Sequence, residues 1–177
     1  MSISGPVIQT HSGIYFDLLN PSPEDVRIED IAHALSNLCR FGGHTRTFYS
    51  VAQHSCLVAA LVPDPLKLHA LLHDAAEAYC GDMVSPLKMC IPGFSTIEKR
   101  IQAAICERFN LPLELPSEIK RADLVALATE RRDLMPDCPH KWDCLDGIEP
   151  RRERIPNLKS HSVKRRFLER FKTTYHR

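Results

Sequence analysis

LLHDAAEAYCGD, residues 71–82, decides how the rest of the chain is read. Leu71, Leu72, Ala75, Ala76 and Ala78 are what a buried helix requires, yet His73 and Asp74 stand side by side inside the run. Glu77 follows one turn later, and Asp82 lies just past Gly81. On one continuous helix His73 and Asp74 are neighbours, and Glu77, four after the first and three after the second, lies between them one turn on. Gly81 suits the position after a helix end, from which Asp82 can fold back toward the same face. An imidazole and three carboxylates gathered in this way suit a first-row divalent cation.

One segment does not complete a site, so further donors must come from other helices. His54 shares a helical face with Val51, Leu57, Val58 and Leu61, and Asp123 shares one with Ile119, Ala126 and Leu127. A buried Asp is costly unless it is paired or binds a metal. Taken singly, a histidine on an apolar face is more often a hydrogen-bonded core residue, and a lone aspartate is often a cap. Taken together, His54, His73, Asp74 and Asp123 are expected to hold one divalent transition-metal ion, one of Co, Mn, Zn, Fe or Ni.

The frame around these residues reads as mainly α. Val7–Thr10 and Ile14–Asp17 flank His11-Ser12-Gly13 as a small N-terminal β-hairpin. Ile28, Ile31, Ala32, Leu35, Leu38 and Cys39 make a helical stripe, interrupted by the two glycines of RFGGHTR. Ser50 and Gln53 form a capping box for a helix to about Val62. Asp64-Pro65 is an N-cap and first-turn pair opening the helix that contains the quoted stretch. Ser95 and Glu98 form a second capping box, for a helix near 96–109, and Ser117 opens another to about Leu134. Residues 135–160 read as irregular, and a last amphipathic helix near 162–173 carries Val163, Phe167 and Phe171 on one side. The expectation is a single domain over 1–177, with a compact helical core over about 28–134 and a C-terminal extension over 135–177.

Composition narrows the function classes. With 44% hydrophobic and 25% charged residues the chain has the balance of a globular protein, and no apolar run reaches the length of a membrane span. The N-terminus lacks the basic and apolar regions of a secretory signal. Seven cysteines without a C-x-x-C pair read as reduced thiols, so the expected compartment is the cytoplasm. Net charge is only +1, but residues 151–177 carry ten Lys/Arg against two Asp/Glu. Such a tail can hold nucleic acid or an anionic partner, although a solvated amphipathic helix is the favoured reading. His69 and His73 have the i,i+4 spacing of a two-histidine metal grip, but no Glu follows His69 directly. Cys138, His140 and Cys144 lack zinc-finger spacing.

The ordered set of a helical His, the HD pair and a later Asp is the pattern that names the HD superfamily of metal-dependent phosphohydrolases. SVAQHS, LLHDAAEAYCGDMVSPLK and KRADLVALATE, with Arg40 ahead of the first His, resemble the branch that contains the bacterial 5'-deoxynucleotidases; the likeness spans about residues 28–134. It implies an all-α HD-domain bundle, a metal on His54, His73, Asp74 and Asp123, functional roles for Arg40, Glu77 and Asp82, and a homo-oligomer. Two departures stand out. Arg40-Phe41-Gly42-Gly43 replaces the Arg-Trp of that branch, and Gln53 stands where Glu is common.

On this resemblance the expected activity is hydrolysis of deoxyribonucleoside 5'-monophosphates to nucleoside and phosphate. Arg40 would fork the phosphate oxygens, while Glu77 and Asp82 would divide the handling of water, sugar and leaving oxygen. Lys88, His44 and Thr45 are supplementary substrate-binding candidates. The alternatives are a deoxynucleoside triphosphate triphosphohydrolase with the same site, and a regulatory protein that binds nucleic acid or another protein and keeps the metal for structure.

Overall fold

The computed structural model describes residues 5–175, and a short hairpin opens it. Strands β1 (Val7–Gln9) and β2 (Tyr15–Asp17) pair antiparallel with Ile8 opposite Phe16. The hairpin is fastened to helix α1 (Ile28–Asn37), where buried Asp30 accepts hydrogen bonds from both the amide and the hydroxyl of Ser12, each at 2.7 Å. Phe16 is buried and stacks on Tyr79 with ring centroids 3.9 Å apart.

Helix α2 (Val51–Ala60) begins as the capping pattern predicts, with the Ser50 hydroxyl accepting from the Gln53 amide. Eight of its ten residues are buried, and a helix apolar on nearly every side belongs in the middle. Around it pack α1, α3 (Lys67–Leu71), α7 (Ser117–Leu134) and α8 (Ser160–Thr174). Val163, Phe167 and Phe171 of α8 join the same hydrophobic cluster as Phe16 and Val51, so the core extends beyond the 28–134 expected. Eight α-helices and one two-stranded sheet make the described residues mostly helical. None of these helices is long and apolar enough to cross a membrane. All seven cysteines are free.

The quoted stretch departs from the continuous helix predicted for it. Residues 64–66 form a 3₁₀ turn in which Asp64 caps nothing and instead pairs with Lys67 at 2.5 Å. Helix α3 stops at Leu71, and α4 (Glu77–Cys80) resumes after a tightened turn in which the amides of Ala75, Glu77 and Ala78 each bond to the carbonyl three residues back. The cause is a side chain from α6 (Phe94–Arg108). Gln102 donates to the Leu72 carbonyl at 2.9 Å and accepts from the Ala76 amide at 3.2 Å. Those two groups would bond to each other in an unbroken α-helix, and a side chain inserted between them opens the ladder.

Two further local expectations yield to tertiary contacts. The Ser95/Glu98 box does not form: α6 starts at Phe94 behind Gly93, whose φ of 88° favours glycine, and Glu98 turns to Lys88 at 2.6 Å. Lys88 sits on α5 (Ser85–Cys90), a short helix that the periodicity did not reveal. Residues 135–159 are irregular as expected, apart from a 3₁₀ turn at Asp143–Leu145.

Asp133, at the end of α7, ties this irregular segment down. Its carboxylate accepts from Arg132, from Arg154 and from the Ile155 amide, the last at 2.9 Å. Burial raises its pKa, but these donors outweigh burial and hold it at about 2. Because the folded pKa lies below the unfolded value of about 3.9, the stabilisation is complete above that value and is lost as pH falls toward 2. Asp133→Asn should therefore lower stability at pH 7 by about 1–2 kcal/mol and flatten the loss between pH 4 and pH 2, as read from urea unfolding at each pH.

Candidate metal centre

His54 projects from the middle of α2 and is fully buried. Its Nδ1 lies 2.6 Å from Oε1 of Glu130, which is itself fully buried on α7. Burial raises the Glu130 pKa, but Arg40 and His54 outweigh it and keep the group below the usual carboxylate range. An ionised carboxylate only accepts, so His54 Nδ1 carries the proton of this bond. His73 is oriented by the same logic: its Nδ1 is 2.8 Å from the Ala70 carbonyl oxygen, which also only accepts. In the neutral imidazoles both Nε2 atoms are then left with lone pairs.

Those lone pairs point into one place. One ring nitrogen each of His54 and His73 and a carboxylate oxygen of Asp123 lie within 4.8 Å of one another, a group that can hold a metal ion. His54 Nε2 is 3.1 Å from Asp123 Oδ1 and 3.4 Å from Asp74 Oδ2, and His73 Nε2 is 3.2 Å from Asp74 Oδ2. The distances are those of hydrogen bonds, but the angles are not, and both Nε2 atoms are buried without a hydrogen-bond partner. Neighbouring ligands about 2.1 Å from one ion, separated by about 90–110° at it, lie about 3.0–3.4 Å from each other. The spacing therefore fits donors around a common cation better than donors bonded to each other.

Charge points the same way. Four carboxylates, Asp74, Glu77, Asp82 and Glu130, interact with the two fixed cations Arg40 and Lys88, and a fifth, Asp123, interacts with the two histidines. Burial lowers the pKa of both histidines, but the surrounding carboxylates prevail and raise them, His54 well above its ordinary value. Asp74 and Asp123 are raised by burial and lowered more strongly by the two imidazoles. The site thus favours positive charge between its carboxylates, which protons or a divalent ion can supply in competition.

Arg40 closes one side. Its amide bonds to the Tyr49 carbonyl at 2.9 Å, beside a bridge between Cys39 and Ser50, so the loop leaves and returns at the start of α2. Its terminal nitrogens reach Glu130 Oε2 at 3.2 Å and Asp74 Oδ2 at 3.7 Å, while its buried Nε has no partner. The next residue, Phe41, has φ 55°, a left-handed conformation that a bulky side chain rarely adopts.

Glu77 is buried at the start of α4, with Oε2 unpartnered and Oε1 3.7 Å from Lys88 Nζ. Burial, then Asp74 and Asp82, push its pKa up to about 9 against the pull of Arg40 and Lys88. Asp82 is partly buried and also raised, by burial first, with Asp74 adding to the effect. Lys88 joins the rim of the cluster through Glu77 and Glu98. His44 and Thr45 are not brought in: His44 is exposed after a 3₁₀ turn, and the Thr45 hydroxyl donates to the Thr47 carbonyl.

Two residues escaped the sequence reading. Glu130 lies seven after Asp123, two turns along the same face of α7, and was legible as a carboxylate among buried Ala126 and Ala128. Gln102 carried no signal, because its partners are 26 and 30 residues away. A cavity of about 820 Å³ between residues 64–68, 109–111 and 173–175 is lined by none of the residues of the cluster.

No family model matches the chain. A protein of Escherichia coli (strain K12), Uncharacterized protein YfdR, is 46% identical over 169 residues that make up 93% of each chain. The chain belongs to the YfdR family. An uncharacterized protein of Rhodobacter capsulatus is 46% identical over 121 residues, which are 63% of this chain and 62% of its own length.

If the convergent donors of this family member hold a cation, removing one must remove the ion. His54→Ala and Asp123→Ala should lose stoichiometric divalent metal in elemental analysis, and full occupancy in either would exclude the site. Glu130→Gln should retain the ion but bind it roughly 10–100-fold more weakly. The inserted amide is tested separately: Gln102→Leu strands the Ala76 amide and removes one of the two donors to Leu72 O, and should cost about 1–3 kcal/mol in urea unfolding.

Proposed function

We propose that the chain is a divalent-metal-dependent phosphohydrolase acting on nucleotides, with deoxyribonucleoside 5'-monophosphates as its substrates. One observation carries the reading. In a single buried cluster, four polar atoms of different chemical roles have no hydrogen-bond partner: Nε2 of His54, Nε2 of His73, Nε of Arg40 and Oε2 of Glu77. Two can ligate a cation, one can donate to an anion, and one can hold or accept a proton. Groups left unsatisfied inside a protein call for an explanation, and a phosphoryl substrate with a metal ion uses all four. The HD-type pattern in the sequence is the second support.

Bound by His54, His73, Asp74 and Asp123, a divalent ion supplies Lewis-acid polarisation of a phosphoryl oxygen and activation of water. The protein's own residues do the rest. Glu130 and Asp74 fix the terminal nitrogens of Arg40, which leaves Nε–H for a phosphoryl oxygen. Glu77 takes or returns a proton at Oε2, and its raised pKa makes it a holder of protons at neutral pH. Asp82 faces the sugar or the departing oxygen. In the overall reaction the bond between phosphorus and O5' breaks, water supplies the new phosphate oxygen, and one of its protons ends on the nucleoside hydroxyl.

The choice of a monophosphate follows from the number of cations. Besides Arg40, the cluster has only Lys88, which is already engaged by Glu98 and Glu77. A triphosphate brings several more charges and needs more donors than these. Purified protein with Mn²⁺, Co²⁺ or Zn²⁺ should release inorganic phosphate from dNMP. Arg40→Ala should abolish most of this release. Glu77→Gln should retain metal and lose turnover by roughly two to four orders of magnitude. Release of inorganic triphosphate from dNTP in preference to phosphate from dNMP would overturn the substrate choice, and near-normal turnover in metal-loaded Glu77→Gln would overturn the acid–base role.

A further inference from the structure

The basic C-terminal segment has no part in that chemistry, yet three of its arginines, exposed Arg166 and half-buried Arg151 and Arg170, border one cavity. A cavity of about 240 Å³ lies against α2, with Gln53, Cys56, Leu57 and Ala60 on one wall. Residues 151–158 form a second wall, and α8 forms the third with Val163, Arg166 and Arg170. Arg151, Arg166 and Arg170 therefore line one small space, and no Asp or Glu lines it with them. Arg151 pairs with Glu153 at 3.1 Å, but the guanidinium groups of Arg166 and Arg170 make no ion pair or side-chain hydrogen bond among the described residues. Arg166 and Arg170, gathered without a carboxylate partner, repel each other, and an anion relieves that repulsion.

We propose that this cavity is a binding site for a small phosphate monoester, distinct from the metal centre and standing independently of the hydrolase reading. Three planar forks match the oxygens of a phosphoryl dianion. Leu57, Leu158 and Val163 offer an apolar wall for the group that carries it. The volume lies below the range of about 300–1,000 Å³ usual for larger ligands, so the fit is a phosphoryl head with one ring or a short chain, and not a nucleic-acid strand.

The cavity also touches the metal centre's support. Tyr49 lines it, and the Tyr49 hydroxyl donates at 2.9 Å to Oε1 of Glu130, the same oxygen that orients His54. A ligand seated on Tyr49 acts on Glu130 through a single bond, so occupancy of the cavity and affinity for the cation are linked, and the linkage runs in both directions.

Calorimetric titration of the full chain tests this, as isolated and again after chelation. The probes are phenylphosphonate, which resists hydrolysis, and inorganic phosphate. Saturable binding of either probe to the wild type and to Arg40→Gln supports the cavity. Tighter binding of phenylphosphonate marks an ester as the source of the anion, and equal binding marks free phosphate. The double variant Arg166→Gln/Arg170→Gln should weaken binding at least tenfold while its circular dichroism stays that of the wild type. Should the double variant fold poorly, the single reversal Arg166→Glu on the exposed side of α8 gives the same readout. In the wild type, phenylphosphonate should shift the Mn²⁺ dissociation constant by at least twofold, and Tyr49→Phe should remove that shift. No saturable binding, or binding lost in Arg40→Gln and kept in the arginine variants, would overturn the proposal. So would salt-dependent binding of an oligonucleotide that the arginine variants abolish, with no binding of phenylphosphonate.

Discussion

The Glu130 carboxylate is the constraint on which the other arrangements depend. A fully buried, ionised carboxylate is tolerable only when its oxygens are well satisfied, and here His54 and Tyr49 meet one oxygen while Arg40 meets the other. Three consequences follow. The ring of His54 is fixed with Nδ1 inward, so Nε2 must face Asp74 and Asp123. Arg40 is held beside the HD pair rather than in solvent. Helices α2 and α7, which pack against each other, are joined by a polar contact between His54 and Glu130. A change at Glu130 therefore strands a histidine, a tyrosine and an arginine together, which is why its effects should be larger than those of one hydrogen bond.

The break between α3 and α4 shows a second kind of dependence. Residues 72–78 turn through i→i+3 bonds instead of continuing the ladder of α3, and within that turn His73 Nε2 and Asp74 Oδ2 lie 3.2 Å apart. The distortion leaves the Ala76 amide without its helical acceptor, and Gln102 accepts from it while adding a second donor to Leu72 O, which already takes the Ala75 amide. Local geometry at the site is thus maintained by a residue that touches none of the candidate ligands.

How much of this was legible in the sequence depends on the range of the interaction. The hairpin, α1, α2 and α7 were readable because their signals are local: turn residues at 11–13, an apolar stripe at 28–39, and the Ser50 cap, whose hydroxyl takes the Gln53 amide while the Gln53 side chain, the other half of the box, turns to the Pro156 carbonyl. His54 and Asp123 stood out because each is polar on an apolar face, and the fold brings a ligand atom of each within 4.8 Å of one on His73. The Ser95 box failed because Glu98 has a stronger partner in Lys88, a cation on a neighbouring helix, than in the backbone amide of its own N-terminus. The helix break was invisible because it needs Gln102 from another helix. Glu130 was overlooked for the opposite reason: beside Arg131 and Arg132 it reads as part of a solvated helix end, although its spacing from Asp123 puts it on the buried face.

Helix α2 is where these levels meet, because it is buried on two sides against chemically different neighbours. One side carries His54 toward carboxylates from α7 and the HD turn. The adjoining side carries Gln53, Cys56 and Leu57 toward the arginines of the C-terminal segment, where Gln53 also donates to the Pro156 carbonyl at 2.7 Å. An acidic cluster and a basic one therefore flank a single helix, and the uneven charge seen along the chain becomes a charge separation across α2. That separation has an electrostatic consequence. Arg166 and Arg170 act on the Cys56 thiol, drawing its pKa down against burial, which still leaves it at about 11. Buried in this way, Cys56 remains a neutral thiol and behaves as a packing residue rather than a nucleophile. The basic tail accordingly shapes the core through its apolar stripe and faces the cavity with its arginines, two roles that a helix can combine only because Val163, Phe167 and Phe171 recur on one side of it and Arg166 and Arg170 on another.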